Sequence, residues 1–243
     1  MIVHAHRGAS AYAPENTIPA FRLAAALGSG AVENDIHLTA DGNIVVCHDD
    51  DISRTSNGKG FISQMTFSQL RQYDFGSWRG DEFRGTTIPS LEEFLAATSS
   101  IRLLNIELKS PLPAPQRLDE LLDGLYGQLE LAGRIESTLI STFHHDWAAR
   151  LKQRYPRLRC ALLYGERLNA EETLALVRQY RADAVHPNID HLEQSEVEAC
   201  LCRGIDVNVW TADTPEQMQK AASFGVTGII TNVPDRAAEF LAR

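Results

Sequence analysis

Along the whole chain, short apolar runs with β-branched members alternate with amphipathic stretches of helical period. That alternation builds a parallel sheet with crossover helices, because parallel neighbours need a connection long enough to carry the chain back to the starting edge. Strand candidates are Ile2 to Ala5, Ala31 to Ile36, Ile44 to Cys47, Leu103 to Lys109, Thr138 to Phe143, Arg159 to Tyr164, Ala182 to His186, Asp206 to Thr211 and Gly228 to Thr231. Helix candidates lie near Thr17 to Leu27, Pro115 to Leu131, His145 to Arg154, Ala170 to Tyr180, Glu193 to Arg203, Thr214 to Phe224 and Asp235 to Ala242. About eight such units predict a closed (β/α)8 barrel of the TIM type rather than an open doubly wound sheet. The ninth strand candidate is assigned to an antiparallel hairpin around Thr39-Ala40-Asp41-Gly42-Asn43. With Asp41 and Gly42 at its centre, Asp35 lies opposite His48.

A chain of 243 residues with 44% hydrophobic content can bury one large core. One domain over residues 1–243 is therefore expected. From Asp50 to Pro89 the rhythm breaks into Gly, Ser, Thr and Arg with scattered aromatics, which reads as an insertion at about 50–90 after the third strand. It would sit over the barrel mouth, either shaping a pocket or packing on its own aromatics. The net charge of −9 argues against nucleic acid and anionic membranes as partners. An anionic small molecule would need local cations. The four cysteines, with Cys200 and Cys202 as a bare C-x-C pair, read as reduced thiols. No leader-like segment follows Met1 and no stretch is long enough to cross a bilayer, so a cytoplasmic location is expected. The sequence leaves assembly open, a homo-oligomer included.

Barrels of this kind carry their active sites at the C-terminal strand ends. His6 and Arg7 close the first strand candidate, Glu107 and Lys109 the fourth, and Glu33 and Asp35 lie within the second. Charges in apolar strands are costly unless they are paired, bound to a metal or set at an open end. Glu33 and Asp35 are two apart in extended chain, so their side chains leave one face and Asn34 the other. Each of these residues has a plain structural reading by itself: a solvated hairpin face for Glu33 and Asp35, a strand-end salt bridge for Glu107 and Lys109. Taken together with His48, they suit metal-assisted phosphodiester hydrolysis.

The motifs His6-Arg7-Gly8-Ala9-Ser10, Ala13-Pro14-Glu15-Asn16-Thr17, Glu33-x-Asp35 with Thr39-x-Asp41-Gly42, His48-Asp49, Asn105-Ile106-Glu107-Leu108-Lys109 and Trp210-Thr211 follow in order. In this the chain resembles the glycerophosphodiester phosphodiesterases of the cytosolic bacterial type, over essentially its whole length. The resemblance implies that His6 and His48 act as acid and base, that Glu33, Asp35 and Glu107 hold one divalent cation, Mg²⁺ or Ca²⁺, and that Arg7 and Lys109 contact phosphate. It further implies hydrolysis of deacylated phospholipids, such as glycerophosphocholine and glycerophosphoethanolamine, to sn-glycerol 3-phosphate and an alcohol. Asn34, where the family carries an apolar residue, and Ala212-Asp213 after Trp210-Thr211 depart from the pattern.

An all-oxygen ligand set without thiolate suits a hard ion. Three carboxylates about 4 Å apart repel by roughly 4 kcal/mol per pair at an effective dielectric near 20, so they ionise together only around a cation. Two imidazoles can remove and deliver the protons that P–O cleavage requires near neutral pH. The residues do not divide acid from base between them, nor water from the glycerol 2-hydroxyl as nucleophile. Related barrels with cyclic products favour the internal route. Glu15 and Asn16 either support the site or cap the following helix. Phe143, Tyr164, His186 and Trp210 end later strands and are candidates for the pocket lining, with Trp210 able to cover a choline group. His4, His37, His144, His145 and His191 are read as surface or core residues. The alternatives are a phospholipase D-type enzyme acting on lysophospholipid or sphingomyelin, and a non-catalytic phosphodiester-binding barrel.

Overall fold

The computed structural model describes residues 1–112 and 114–242. In chain order it contains β1 (Ile2–Ala5), α1 (Ile18–Ala26), β2 (Ala31–Leu38), β3 (Ile44–Val46), α2 (Phe67–Leu70), α3 (Leu91–Ala97), β4 (Leu103–Leu108), α4 (Leu118–Leu131), β5 (Thr138–Thr142) and α5 (His145–Arg154). There follow β6 (Arg159–Tyr164), α6 (Ala170–Tyr180), β7 (Ala184–Pro187), α7 (Gln194–Leu201), β8 (Asp206–Val209), α8 (Pro215–Phe224), β9 (Gly228–Thr231) and α9 (Pro234–Leu241). All strands except β3 run parallel, and β1 pairs with both β9 and β2, which closes the (β/α)8 barrel. The helix starts follow local chemistry: Asn169 and Thr214 cap α6 and α8, each in a reciprocal box with the residue three positions on.

The antiparallel member is β3, as expected, but its register differs by one residue. Ile36 faces Val46 and Leu38 faces Ile44, so Asp35 lies opposite Cys47, whose N–H it receives at 3.0 Å, and not opposite His48. The turn is the cause. Gly42 donates its N–H to Thr39 O and takes φ +83°, while Thr39 and Asn43 close the loop, giving a three-residue turn where a two-residue one was expected. His48 leaves the ladder as a consequence.

Helix α3 has no counterpart among the expected elements. Ser90 and Glu93 form a capping box at its start, and Phe94 meets Phe21 of α1 edge-on at 4.8 Å. The insertion packs on its own small core, in which Ile52, Ile62, Leu70, Phe75 and Ile88 lie against Val45 and Cys47, while Phe61 and Trp78 stay exposed.

Parallel partners point to one side of a sheet, so the face that carries Glu33 can be followed around the barrel. Glu33 is level with Asn105, Asp35 with Glu107, Glu107 with Ser141, Ser141 with Ala161, Ala161 with Ala184, Leu163 with His186, and Asn208 with Gly228. Those residues face the barrel axis. The opposite face carries the aliphatic residues, such as Val32, Ile106 and Leu162 against α1, α3, α4 and α5 and Val185, Val207 and Ile229 against α7, α8 and α9. Asn34 falls on this outer face, fully buried, and its amide has no hydrogen-bond partner among the described residues.

Candidate active site

After β1 the chain turns sharply through Arg7 (φ +56°) and Gly8 (φ +81°), and a Cβ at Gly8 would lie 2.7 Å from the backbone of Ala20. No other residue fits that crossing. The turn aims the N–H of Arg7 at Glu33 Oε2, 2.9 Å away, and brings His6 Nε2 within 3.9 Å of the same oxygen. Glu33, Asp35 and Glu107, all at least nine-tenths buried, each present an oxygen within 4.8 Å of the others. Asp35 also receives Asn16 Nδ2 at 2.7 Å, and Arg7 Nε and Lys109 Nζ stand 3.5 Å from its two oxygens. Lys109 Nζ binds Glu107 at 2.7 Å. Its ammonium is turned onto the carboxylates and does not line the cavity in front of them.

His48 enters from the start of the insertion. Its Nδ1 lies 2.6 Å from Asp49 Oδ1, and Arg54 joins Asp49 to Glu15, which in turn binds Arg7 at 2.8 Å. The sequence left Glu15 and Asn16 between support and capping. Neither caps α1: Asn16, at φ +57°, binds Asp35, and the Thr17 hydroxyl donates to Pro14 O. On the other side, His6 Nδ1 lies 2.7 Å from Asn232 Oδ1. Asn232 Nδ2 donates to Asp213 Oδ2 at 2.6 Å, so its oxygen is the atom left for His6.

A cavity of about 280 Å³ is lined by His6, Arg7, Glu33, His48, Asn105, Glu107, Ser141, Phe143, Leu163, Trp210, Thr211 and Ile230. Phe143 and Trp210 meet edge-on at 5.7 Å across its far wall, with Trp210 Nε1 donating to His186 O. Two strand-end candidates fall elsewhere. Tyr164 follows inward-facing Leu163 by one position, so it points outward and its hydroxyl binds Glu196, while His186 lies wholly buried on the barrel axis. His37 lies beside the site, its Nε2 3.2 Å from His48 O. Asp49, Arg54, Asp213 and Asn232 were not assigned a part in the site from the sequence, although Asp49 stands in the His48-Asp49 motif and Asp213 in the Ala212-Asp213 departure.

A model of the glycerophosphoryl diester phosphodiesterase family matches residues 6–236. The chain belongs to that family. A glycerophosphodiester phosphodiesterase of Caldanaerobacter subterraneus is 36% identical over 235 residues, covering 96% of this chain and 95% of the relative. The putative glycerophosphodiester phosphodiesterase YhdW of Bacillus subtilis is 34% identical over 237 residues, 97% of this chain and 96% of the relative. Among solved structures, a phosphodiesterase of Oleispira antarctica in complex with the product sn-glycerol-3-phosphate superposes with a TM-score of 0.92 at 27% identity, covering all of this chain and 97% of the other. The chain is thus a glycerophosphodiester phosphodiesterase in its activity class.

Electrostatics in this phosphodiesterase centre on the three carboxylates. Burial, then the charges of Asp35 and Glu107, push the Glu33 carboxyl well above its ordinary range. Burial and Asp35 raise Glu107 to about 7, with Lys109 opposing. Asp35 behaves oppositely: burial works against its charge, yet Lys109, Arg7 and His48 together with the Asn16 hydrogen bond hold it at about 2. One firmly ionised carboxylate therefore stands between two reluctant ones, the arrangement that a cation would relieve. Burial and the neighbouring Arg7 lower His6 to about 4, which keeps its imidazole neutral. No described helix is long and apolar enough to cross a membrane.

Proposed function

We propose that the chain acts as one domain that hydrolyses glycerophosphodiesters of deacylated phospholipids to sn-glycerol 3-phosphate and an alcohol, using one divalent cation and the histidine pair. The reading rests on one observation: three buried carboxylates within 4.8 Å of one another, with His6 and His48 lining the same cavity. The oxygen-only donor set and the raised Glu33 and Glu107 fit a hard ion, Mg²⁺ or Ca²⁺, held by Glu33, Asp35 and Glu107. When bound, such an ion polarises a phosphoryl oxygen and acidifies a coordinated hydroxyl.

The residues around it divide the proton work. His6 donates its Nδ1–H to the Asn232 oxygen, which leaves the Nε2 lone pair on the site side and makes this imidazole the base. His48 donates its Nδ1–H to Asp49, a carboxylate that hydrogen bonds from Arg54 and His48 hold at about 2 against the effect of burial. Asp49 thus holds the ring by Nδ1 and leaves Nε2 as the nitrogen turned to the departing oxygen, so His48 is assigned the acid. The glycerol 2-hydroxyl attacks phosphorus and passes its proton to His6. The P–O bond to the alcohol breaks as His48 protonates the departing oxygen, and water then opens the cyclic phosphate with the two roles reversed. Arg7 and Lys109, which stand against the carboxylates, are the cations whose N–H groups would turn to the phosphate if a bound cation took over the carboxylate charge. Trp210 and Phe143 form the wall against which a quaternary ammonium group packs.

The test is incubation with glycerophosphocholine, glycerophosphoethanolamine and lysophosphatidylcholine, followed by phosphorus NMR with and without EDTA. Glycerol phosphate is expected from the first two only, through a transient cyclic phosphate, with loss of turnover in EDTA and recovery on adding Mg²⁺ or Ca²⁺. Cleavage of lysophosphatidylcholine alone would move the enzyme to the phospholipase D type, and full turnover in excess EDTA would remove the ion.

A further inference from the structure

Level with the carboxylates and below them, the inward face of the barrel carries polar side chains where such barrels ordinarily stack bulky branched ones. His4, Asn105, Ser141, His186 and Asn208 occupy it, each at least nine-tenths buried. Their inward neighbours Ala31, Ala161, Ala184 and Gly228 are small, with Leu139 packed on the two central alanines and the His4 and Asn208 side chains lying over Gly228. Among the described residues, His4 Nδ1, Asn105 Oδ1, Ser141 Oγ and His186 Nδ1 have no hydrogen-bond partner, and the one contact within the group joins Asn208 Nδ2 to His186 Nε2 at 3.1 Å. Each buried polar atom left unpaired costs about 1–3 kcal/mol, so a set of four calls for a ligand.

The chemistry of the set selects that ligand. It mixes donors and acceptors and carries no charge, since burial lowers His4 to about 4 and His186 to about 3. An ion would find no counter-charge there, whereas water can both give and accept at every position. A cavity also borders the layer at each end. Asn105 and Ser141 belong to the floor of the catalytic cavity, and His4 and Asn208 line a second cavity of about 80 Å³ at the N-terminal strand ends. Across that lower opening, Arg159 Nη2 and Asp206 Oδ2 form an ion pair at 2.6 Å.

We infer that the barrel lumen is a water channel joining the floor of the catalytic cavity to the N-terminal face, with the Arg159–Asp206 pair across its exit. Solvent then reaches the site from below while a substrate fills the upper mouth. Neither residue of the pair belongs to the catalytic machinery, so the exit can be altered without touching it. A high-resolution crystal structure of the full chain is expected to place an ordered water within hydrogen-bond distance of each of the four unpartnered atoms; a dry lumen, or rotamers that pair those atoms with one another, overturns the inference. Oxygen-17 relaxation dispersion on the same protein reads the residence time of buried water. Arg159→Ala should shorten it several-fold, and should Arg159→Ala fail to fold, Asp206→Ala opens the exit from the other partner. An unchanged residence time in the folded variant closes the lower end and refutes the channel.

Discussion

The raised carboxyl groups make cation binding a proton-linked event whose size can be worked out. Glu107 sits at about 7 in the ion-free protein against an ordinary 4.5, and Glu33 lies well above the same value. An ion takes only the deprotonated forms, so below about pH 7 each unit of acidity weakens binding about tenfold per proton displaced. Between about pH 8 and pH 5, Glu107 alone weakens it about 100-fold, or about 2.7 kcal/mol, and Glu33 adds in the same direction. The stability of the bare protein is not the quantity to follow. His4, His6, His37 and His186 are all lowered by burial, and a lowered histidine adds stability as pH rises from its folded value towards 6.5. A raised Glu does the reverse over 4.5 to 7, losing stability as pH rises. The difference in melting temperature with Ca²⁺ or Mg²⁺ and with EDTA cancels the histidine contribution away from the site. At a fixed ion concentration that keeps the site partly filled at the acid end, the difference should grow by about 5–10 °C over this range, at about 2–4 °C per kcal/mol for a chain of this size. A difference that is flat in pH, or that shrinks as pH rises, would refute proton-linked binding at the three carboxylates.

Three substitutions test other links in the argument. His48→Ala should keep the melting temperature while turnover falls by about 10² to 10⁴, and more than half of wild-type turnover would take His48 out of the mechanism. Asn34→Val replaces a fully buried amide without a partner by a β-branched side chain on the outer face, and should stabilise by about 1–3 kcal/mol in urea unfolding. A loss of stability there would mean that the amide is satisfied. Gly8→Ala combines a left-handed backbone with a contact of 2.7 Å on Ala20 and should lower stability by about 2 kcal/mol or more; a neutral result would show that the turn relaxes without cost.

Much of the fold is written in local periodicity, and the sequence reading recovers it where periodicity is the cause. The boundaries of β1, β6, β9, α5 and α6 coincide with those expected from the apolar runs alone. The hairpin register does not, because it depends on whether Gly42 or the Asp41-Gly42 pair forms the turn, a difference of backbone angle that composition does not record. Helix α3 escaped although Ser90 and Glu93 spell its capping box, since it follows directly on the irregular insertion. The carboxylates were legible as charges in apolar strands. Asn232 and Arg54 were not, being ordinary polar residues 226 and 39 positions from their site-side partners His6 and Glu15, although Arg54 also meets Asp49 five residues away, and Asp213 reaches the site only through Asn232, 19 positions on. Tyr164 was misplaced by a single step of alternation.

The barrel closes where β1 meets β9, and His6 stands on that seam: its N–H is held by Thr231 O and its ring by Asn232, both near the end of the chain. The three carboxylates, by contrast, come from β2 and β4, within the first half of the sequence. A ribosome would therefore release every oxygen of the ion cradle long before the groups that orient the first histidine exist. On the proposed function, ion affinity and turnover separate in the order of synthesis, and pairing of β1 with β9 is the step that converts a cradle into a catalyst.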